Sequence, residues 1–321
     1  MTVAPVAYLV MAHHKPQQLL RLLERLRRDS PNALIALHFD GKQPVPEPAR
    51  LAALDVGLII PRITVQWGDY SMVEAVLAGY RRLLTENGWR YVQLISGQDY
   101  PLRPLAQSER ALLKEAQDAY LDASPEHEYL YRYCYRYWVL PKFRHAYLLP
   151  PWVKAFAGIV RTRLNQSQRF IRLERRPRGL PQLLGVRRHR LPFSESWPCW
   201  FGSDWFVLSR QAVEYLLETL DQRPGLVALY RTSLIPSESL FATVLCNSPL
   251  RVHCGDNRRF ILWASDTAAH PVTLTMEHLP AMIASGKDFG RKFDADRDSA
   301  VLDALDRILD AGHTLGAHDG A

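Results

Sequence analysis

The chain sets polar and ionisable residues directly behind apolar runs. His13 and His14 follow Val6–Met11, Asp40 follows Ala33–Phe39, and Ser96-Gly97-Gln98-Asp99 follows Tyr91–Ile95. Open parallel α/β sheets bind ligands just outside the carboxyl ends of their strands. If these runs are neighbouring strands, three polar ends meet in one place. Glu238, in Pro236-Ser237-Glu238, opens an apolar helical stretch. A carboxylate there can accept a proton as a general base, or it can simply favour the positive end of the helix dipole. Arg291-Lys292 is a pair of adjacent cations. Asp294, Asp296 and Asp298 alternate on the way into a helix, and a helix start explains them better than a metal site does. Cys134, Cys199, Cys246 and Cys254 are dispersed and form no CxxC pair, so they read as reduced thiols and not as zinc ligands.

The elements that must position these residues follow from periodicity. Between the first two apolar runs, Leu19, Leu20, Leu22, Leu23 and Leu26 recur at helical spacing behind Pro16, which suits a first turn. Strand, helix, strand at this spacing predicts a parallel βαβ unit. Val56–Ile60 and Ile63–Val65 are further short strands. Ser71-x-x-Glu74 fits a capping box before a helix carrying Val73, Val76, Leu77, Tyr80 and Leu84 on one face. Trp200–Leu208 reads as a strand, Phe260–Trp263 as another, Thr275 as the cap of a helix ending near Gly286, and Ala300–Leu309 as a last helix.

From about residue 126 the character changes. Tyr129–Trp138 is aromatic and basic, Trp152–Leu173 reads as a basic helix, and Glu174 is the only acid between Tyr129 and Ser194. The expected organisation is one domain over residues 1–311, with a nucleotide-binding half (1–125), a basic aromatic insertion (126–199) and an acceptor and catalytic half (200–311). Residues 312–321 read as a disordered tail. With 321 residues, 47% of them apolar, a full core can form, and the net charge of +7 favours anionic partners: nucleic acid, acidic lipid or phosphorylated substrates. No apolar run reaches 18 residues and no leader is seen, so a cytoplasmic protein is expected, with peripheral contact at the inner membrane face.

Six blocks in order resemble the core-2/I-branching β-1,6-N-acetylglucosaminyltransferases and peptide xylosyltransferases. They are His38-Phe39-Asp40-Gly41-Lys42, Trp67-Gly68-Asp69-Tyr70-Ser71, Ile95 to Leu102 (ISGQDYPL), Gly202-Ser203-Asp204-Trp205-Phe206, Pro236-Ser237-Glu238, and Phe289-Gly290-Arg291-Lys292-Phe293-Asp294. The resemblance implies an α/β fold, a variant of the nucleotide-sugar transferase fold (GT-A) with a Rossmann-like N-terminal half. It implies an inverting transfer of a sugar, N-acetylglucosamine or xylose, from a UDP-sugar to a hydroxyl of a glycan, glycolipid or protein, without a metal cofactor. Glu238 matches the family's base, although Ser237 stands where Asp is usual. Lys292, with Arg291 beside it, matches the contact to the diphosphate. The arginine that animal members carry upstream is missing, and His270, Arg258 and Arg259 are the residues that stand nearest to replace it. His13, Asp40, Ser71 and Asp99 fall where the nucleotide is held, although Asp99 equally suits a residue bonding its own turn. Trp263, Glu128, Arg132 and Arg136 fall on the acceptor side.

Two other readings compete. The aromatic, basic stretch Tyr129–Arg190 would suit a single-stranded nucleic-acid-binding protein, in which bases stack and phosphates pair with arginine. An inactive sugar-binding scaffold would keep the fold and lose the chemistry. The first leaves the six blocks unexplained, and the second leaves Glu238 and Lys292 unexplained. No nucleic-acid partner is therefore expected. The basic segment itself suits either an acceptor lid or contact with an anionic membrane, through Lys154, Arg161, Arg163, Arg169 and Arg172.

Overall fold

The computed structural model describes residues 5–125, 129–140, 150–175, 182–265 and 270–316. Its centre is a seven-stranded mixed sheet: β1 (Val6–Ala12), β2 (Ile35–Phe39), β3 (Val56–Leu58), β4 (Tyr91–Ser96), β5 (Ala119–Leu121), β6 (Val207–Ser209) and β7 (Val252–Cys254), in spatial order β7-β5-β6-β4-β1-β2-β3. β4, β1, β2 and β3 run parallel, and β6 enters antiparallel between β4 and β5. The first half is thus the expected Rossmann-like unit. The seven residues of β1 and five of β2 are buried throughout, as the continuous apolar runs predict for strands covered on both faces.

Two helices press on these strands. Pro16–Asp29 begins with its proline in the first turn and buries Leu19, Leu20, Leu22, Leu23 and Leu26 almost completely. Ser71–Leu84 lies flush on β1, because Gly79 has no side chain: a Cβ there would stand 2.4 Å from Leu9 Cδ1. That close approach carries the start of the helix, with Met72, to the carboxyl end of the sheet.

A second, three-stranded sheet orders Arg259–Ile261, Phe289–Arg291 and Asp99–Pro101, with Arg291 in register with Asp99. The stretch after β4 is therefore a strand rather than only a polar turn, and it joins the C-terminal Phe289–Asp294 block to the N-terminal half. A two-stranded ladder pairs Phe201–Gly202 with Ala123–Ser124. It divides the predicted strand Trp200–Leu208 in two and leaves Asp204 and Trp205 in the gap.

Other expectations change. Ile63–Val65 forms no strand; the Ile63 amide donates to His38 Nε2 at 3.1 Å instead. Ser71 is the first residue of its helix and not the cap. The cap position is Tyr70, which makes no side-chain cap bond, and the Ser71 amide donates to Asp69 Oδ1 at 2.8 Å. The helix predicted to run from Trp152 to Leu173 ends at Ser167 (Pro151–Ser167), and Ile171–Arg175 is a strand. It joins Gln182–Arg187 and Tyr135–Val139 in an antiparallel sheet of their own. Gln168 makes the break, its Oε1 accepting the Phe170 and Ile171 amides at 2.7 and 2.8 Å. Thr275 opens a 3-10 turn, Met276–His278, before the helix Leu279–Ala284. The last helix runs Ala300–Gly316, so residues 312–316 of the expected tail are helical, and 317–321 lie outside the described residues. All four cysteines are free; Cys246 and Cys254 sulfurs stand 3.4 Å apart. Among the described residues no helix is long and apolar enough to cross a membrane.

Candidate active site

The carboxyl ends of β1, β2 and β4 open into one cleft of about 270 Å³. Its floor is Ala12, His13 and His14 after β1, Asp40 and Lys42 after β2, and Ser96, Gly97 and Gln98 after β4. Trp67 and Gly68 form one wall; Asp204, Trp205, Ser237 and Arg291 form the other. Gly97 packs tightly, since a Cβ there would stand 3.1 Å from that of Ala12.

Hydrogen bonding fixes the floor. The Asp40 amide donates to the Ala12 carbonyl at 2.9 Å, locking the ends of β1 and β2 together. The Asp40 carboxylate accepts the Lys42 amide at 2.9 Å and lies 3.3 Å from its ammonium. His13 and His14 stack with ring centres 4.0 Å apart. Burial, and then the neighbouring His14, lowers the pKa of His13 to about 4, so it is a neutral donor and acceptor at physiological pH. Burial also lowers His14, with smaller contributions from Lys15 and Lys292. Lys292 follows the cleft-lining Arg291 in the chain, and its carbonyl accepts the Leu274 amide at 2.9 Å.

Arg291 enters through the second sheet. Its guanidinium lies 4.2 Å from the centre of the Trp205 ring, donates to Asp99 Oδ1 at 2.8 Å, and bonds the Ser96 hydroxyl. One face of the cleft thus carries a cation that is both stacked and aimed.

Glu238 sits in the first turn of Ser237–Cys246, next to the cleft-lining Ser237. Arg132 Nη1 approaches its Oε2 to 2.5 Å, and the Arg132 guanidinium is itself stacked 4.3 Å over Tyr129. Burial, and then the nearby Asp204 carboxylate, raise the pKa of Glu238 to about 7 against the opposing pull of Arg132. Asp204 is also raised, by burial foremost, and its Oδ1 is buried with no hydrogen-bond partner among the described residues. Two carboxyl groups therefore share one corner, with Asp204 Oδ1 buried and the Glu238 side chain partly exposed, where a proton held near neutrality is the expected result.

The remaining expected site residues fall elsewhere. Asp99 is fully buried behind the cleft and is spent on Ser96, Arg291 and Arg259. The Ser71 hydroxyl bonds Asp69 and accepts the Gln66 amide at 2.8 Å, so it shapes the loop behind Trp67 rather than facing the cleft. Neither Arg258 nor Arg259 can stand in for the missing arginine. Arg258 is paired with Asp288 and Glu115, and Arg259 is buried beneath β4, donating to the Leu94 carbonyl. His270 and Trp263 are exposed and off the cleft wall, Arg136 lines a separate groove, and Glu128 lies outside the described residues. Sequence reasoning gave no role to Asp204, Trp67 or Trp205, although all three stand inside the blocks it singled out. Among the described residues no three His, Cys, Asp or Glu side chains gather as a metal-holding group. Asp294 and Asp296 are paired with Lys15, and Asp298 accepts the Met276 and Val301 amides, the latter at the start of the last helix.

Known proteins add the family. A stretch of the β-glucuronosyltransferase GlcAT14B of Arabidopsis thaliana is 35% identical over 111 residues, 34% of this chain and 25% of the relative. Xylosyltransferase 2 of Mus musculus is 49% identical over 57 residues, 17% of this chain and 7% of the relative. The chain thus spans about a quarter of the plant relative and under a tenth of the mouse one. Solved structures overlay loosely: a putative glucose-1-phosphate thymidylyltransferase from Bacillus anthracis covers 88% of this chain at 8% identity with a TM-score of 0.35. The model of the Core-2/I-Branching enzyme family matches residues 6–158 and 162–289, which include all or part of each of the six blocks and every element that lines the cleft except the end of the last block. The chain belongs to the core-2/I-branching enzyme family.

Proposed function

We propose that this chain is an inverting glycosyltransferase that uses a UDP-sugar and needs no divalent metal. The observation that carries the reading is Glu238: a carboxylate at the edge of the cleft, aimed by Arg132 and poised by its surroundings near pH 7. A general base works best with a pKa near the operating pH. The acceptor hydroxyl oxygen attacks the anomeric carbon and its proton passes to Glu238. The bond from that carbon to the β-phosphate oxygen breaks, and its electron pair leaves with UDP. Arg132 holds the carboxylate, and Asp204 keeps its basicity high.

The leaving diphosphate gains negative charge as this bond breaks, and preorganised cations are the effective response. Arg291 lines the cleft and Lys292 follows it in the chain, so these two take that role, without His270. The neutral His13, Asp40 and the exposed face of Trp67 suit the nucleoside. Asp40 is committed to Lys42, and among the described residues Asp204 is the only other carboxylate lining the cleft, which favours a metal-free mechanism. N-acetylglucosamine and xylose are joined as donor sugars by glucuronic acid, from the name of the plant relative. The acceptor is a glycan, glycolipid or protein hydroxyl on the Arg132 side.

A thermal-shift screen against a panel of UDP-sugars tests the reading. A ligand at a hundredfold its Kd adds about 2.7 kcal/mol of stability. No shift with any member, alongside salt-dependent binding of single-stranded RNA, reverses it in favour of the nucleic-acid alternative.

A further inference from the structure

Nine of the fifteen large apolar side chains that stand exposed among the described residues lie between Trp138 and Val186. They are not scattered. On the helix Pro151–Ser167, Trp152, Phe156, Ile159 and Val160 recur at the spacing of one helical face, and they are 72%, 63%, 55% and 45% exposed. The opposite side of this helix rests on the strand Ile171–Arg175. There Asn165 bonds both the amide and the carbonyl of Leu173 at 2.9 Å. Trp152, Phe156, Ile159 and Val160 thus turn to solvent, while Asn165 turns to the protein.

The small sheet repeats the pattern. Val186 stands in register with Arg136 and Ile171, and Leu184 with Trp138 and Leu173. Alternation puts these six on one face. The other face holds the buried Tyr135, Tyr137 and Leu183, while Trp138, Val186 and Ile171 remain more than 40% exposed. Arg163 and Arg169 are exposed around this surface. At its edge Arg136, Arg188 and Arg190 line a groove of about 470 Å³. Among the described residues none of these three has a carboxylate partner.

The chemistry selects the occupant. A second copy of the chain would bring two arginine-rich faces together without counter-charges. A single nucleic-acid strand would use the aromatic rings but has no use for Ile159, Val160, Ile171 and Val186. An anionic bilayer takes both parts, apolar and aromatic side chains into the acyl boundary and arginines onto lipid phosphates.

We propose that the helix Pro151–Ser167 and the outer face of its sheet form a docking platform for an anionic membrane, with Arg136, Arg188 and Arg190 receiving a lipid phosphate. The platform is separate from the cleft, so it stands or falls independently of glycosyl transfer.

Flotation of the full-length protein with vesicles of phosphatidylcholine alone, or mixed with phosphatidylglycerol, tests it. Binding is expected only to the mixed vesicles, with a blue shift of tryptophan fluorescence and with loss at high salt. Each basic residue near an acidic bilayer contributes about 1 kcal/mol, or roughly fivefold, so Arg163→Ala with Arg169→Ala lowers partitioning about 25-fold. Trp152→Glu with Phe156→Glu, both at exposed positions, lowers it more than about tenfold without changing Tm, because each side chain contributes about 1.5–3 kcal/mol when buried. Equal binding to both vesicle types, binding to neither, unchanged binding of these variants, or tighter capture of single-stranded RNA than of anionic vesicles each overturns the proposal.

Discussion

Replacing Glu238 by Gln separates the proposed catalytic role of the carboxylate from its structural cost. Gln keeps the shape and imitates the protonated acid. In the folded protein Glu238 titrates near 7 instead of near 4.5. The native state therefore holds the proton more tightly than the unfolded chain does. The stability this supplies is complete below about pH 4.5 and is lost as pH rises through about 7. Unscreened, the displacement corresponds to roughly 3 kcal/mol. The side chain is 37% exposed, and solvent screening brings the expected effect to about 1–2 kcal/mol. Glu238→Gln should thus be more stable than the parent by about 1–2 kcal/mol at about pH 8.5 and equal to it at about pH 4.5, as read by urea unfolding. In the same protein, turnover should fall by about 10²–10⁴ while donor affinity is kept. A stability difference that does not change with pH would refute the electrostatic account of this corner. Turnover within about threefold of the parent would refute the base assignment.

Arg132→Gln removes the cation that holds the Glu238 pKa down, so the acid limb of the pH–rate profile should move to higher pH; an unmoved limb would mean that the two groups do not interact in solution. Lys292→Ala should lower turnover more than acceptor affinity, because the charge matters most in the transition state, and added magnesium or manganese should not restore it. Activity of the parent should survive EDTA, and loss of activity with rescue by manganese would contradict the metal-free mechanism. Asp69→Ala removes the carboxylate that accepts the Ser71 amide and should cost about 1 kcal/mol in urea unfolding, as loss of one intramolecular hydrogen bond does.

The central strands could be read from sequence because they are buried on both faces, and continuous apolar runs such as Val6–Met11 have no other ready explanation. The small antiparallel sheet could not. Ile171 to Arg175 mixes apolar and charged residues much as the preceding helix does, and the break is made by one side chain, Gln168, capping two amides. Ile63–Val65 has strand-forming residues, but the partner of its backbone is the His38 ring, which periodicity cannot see.

The site divides in the same way. Strand ends pointed to His13 and Asp40, and both line the cleft, because position along a parallel sheet is a local property. Arg258 and Arg259 looked like free cations, yet Arg258 is neutralised by Asp288 and Glu115, 30 and 143 residues away in the chain. Asp99 suited either a nucleotide contact or a residue bonding its own turn; it accepts the Ser96 amide and hydroxyl in that turn and also anchors Arg291. Asp204 raises the basicity of Glu238 through space, across a gap in sequence that no motif spans.

The most direct test of the central claim is turnover of purified protein with UDP-sugars and acceptor hydroxyls in the presence of EDTA, followed by proton NMR of the product. The account predicts release of UDP from one of the donors and a glycoside of anomeric configuration opposite to that donor. Retention of configuration, or turnover that appears only when a divalent metal is supplied, would contradict it.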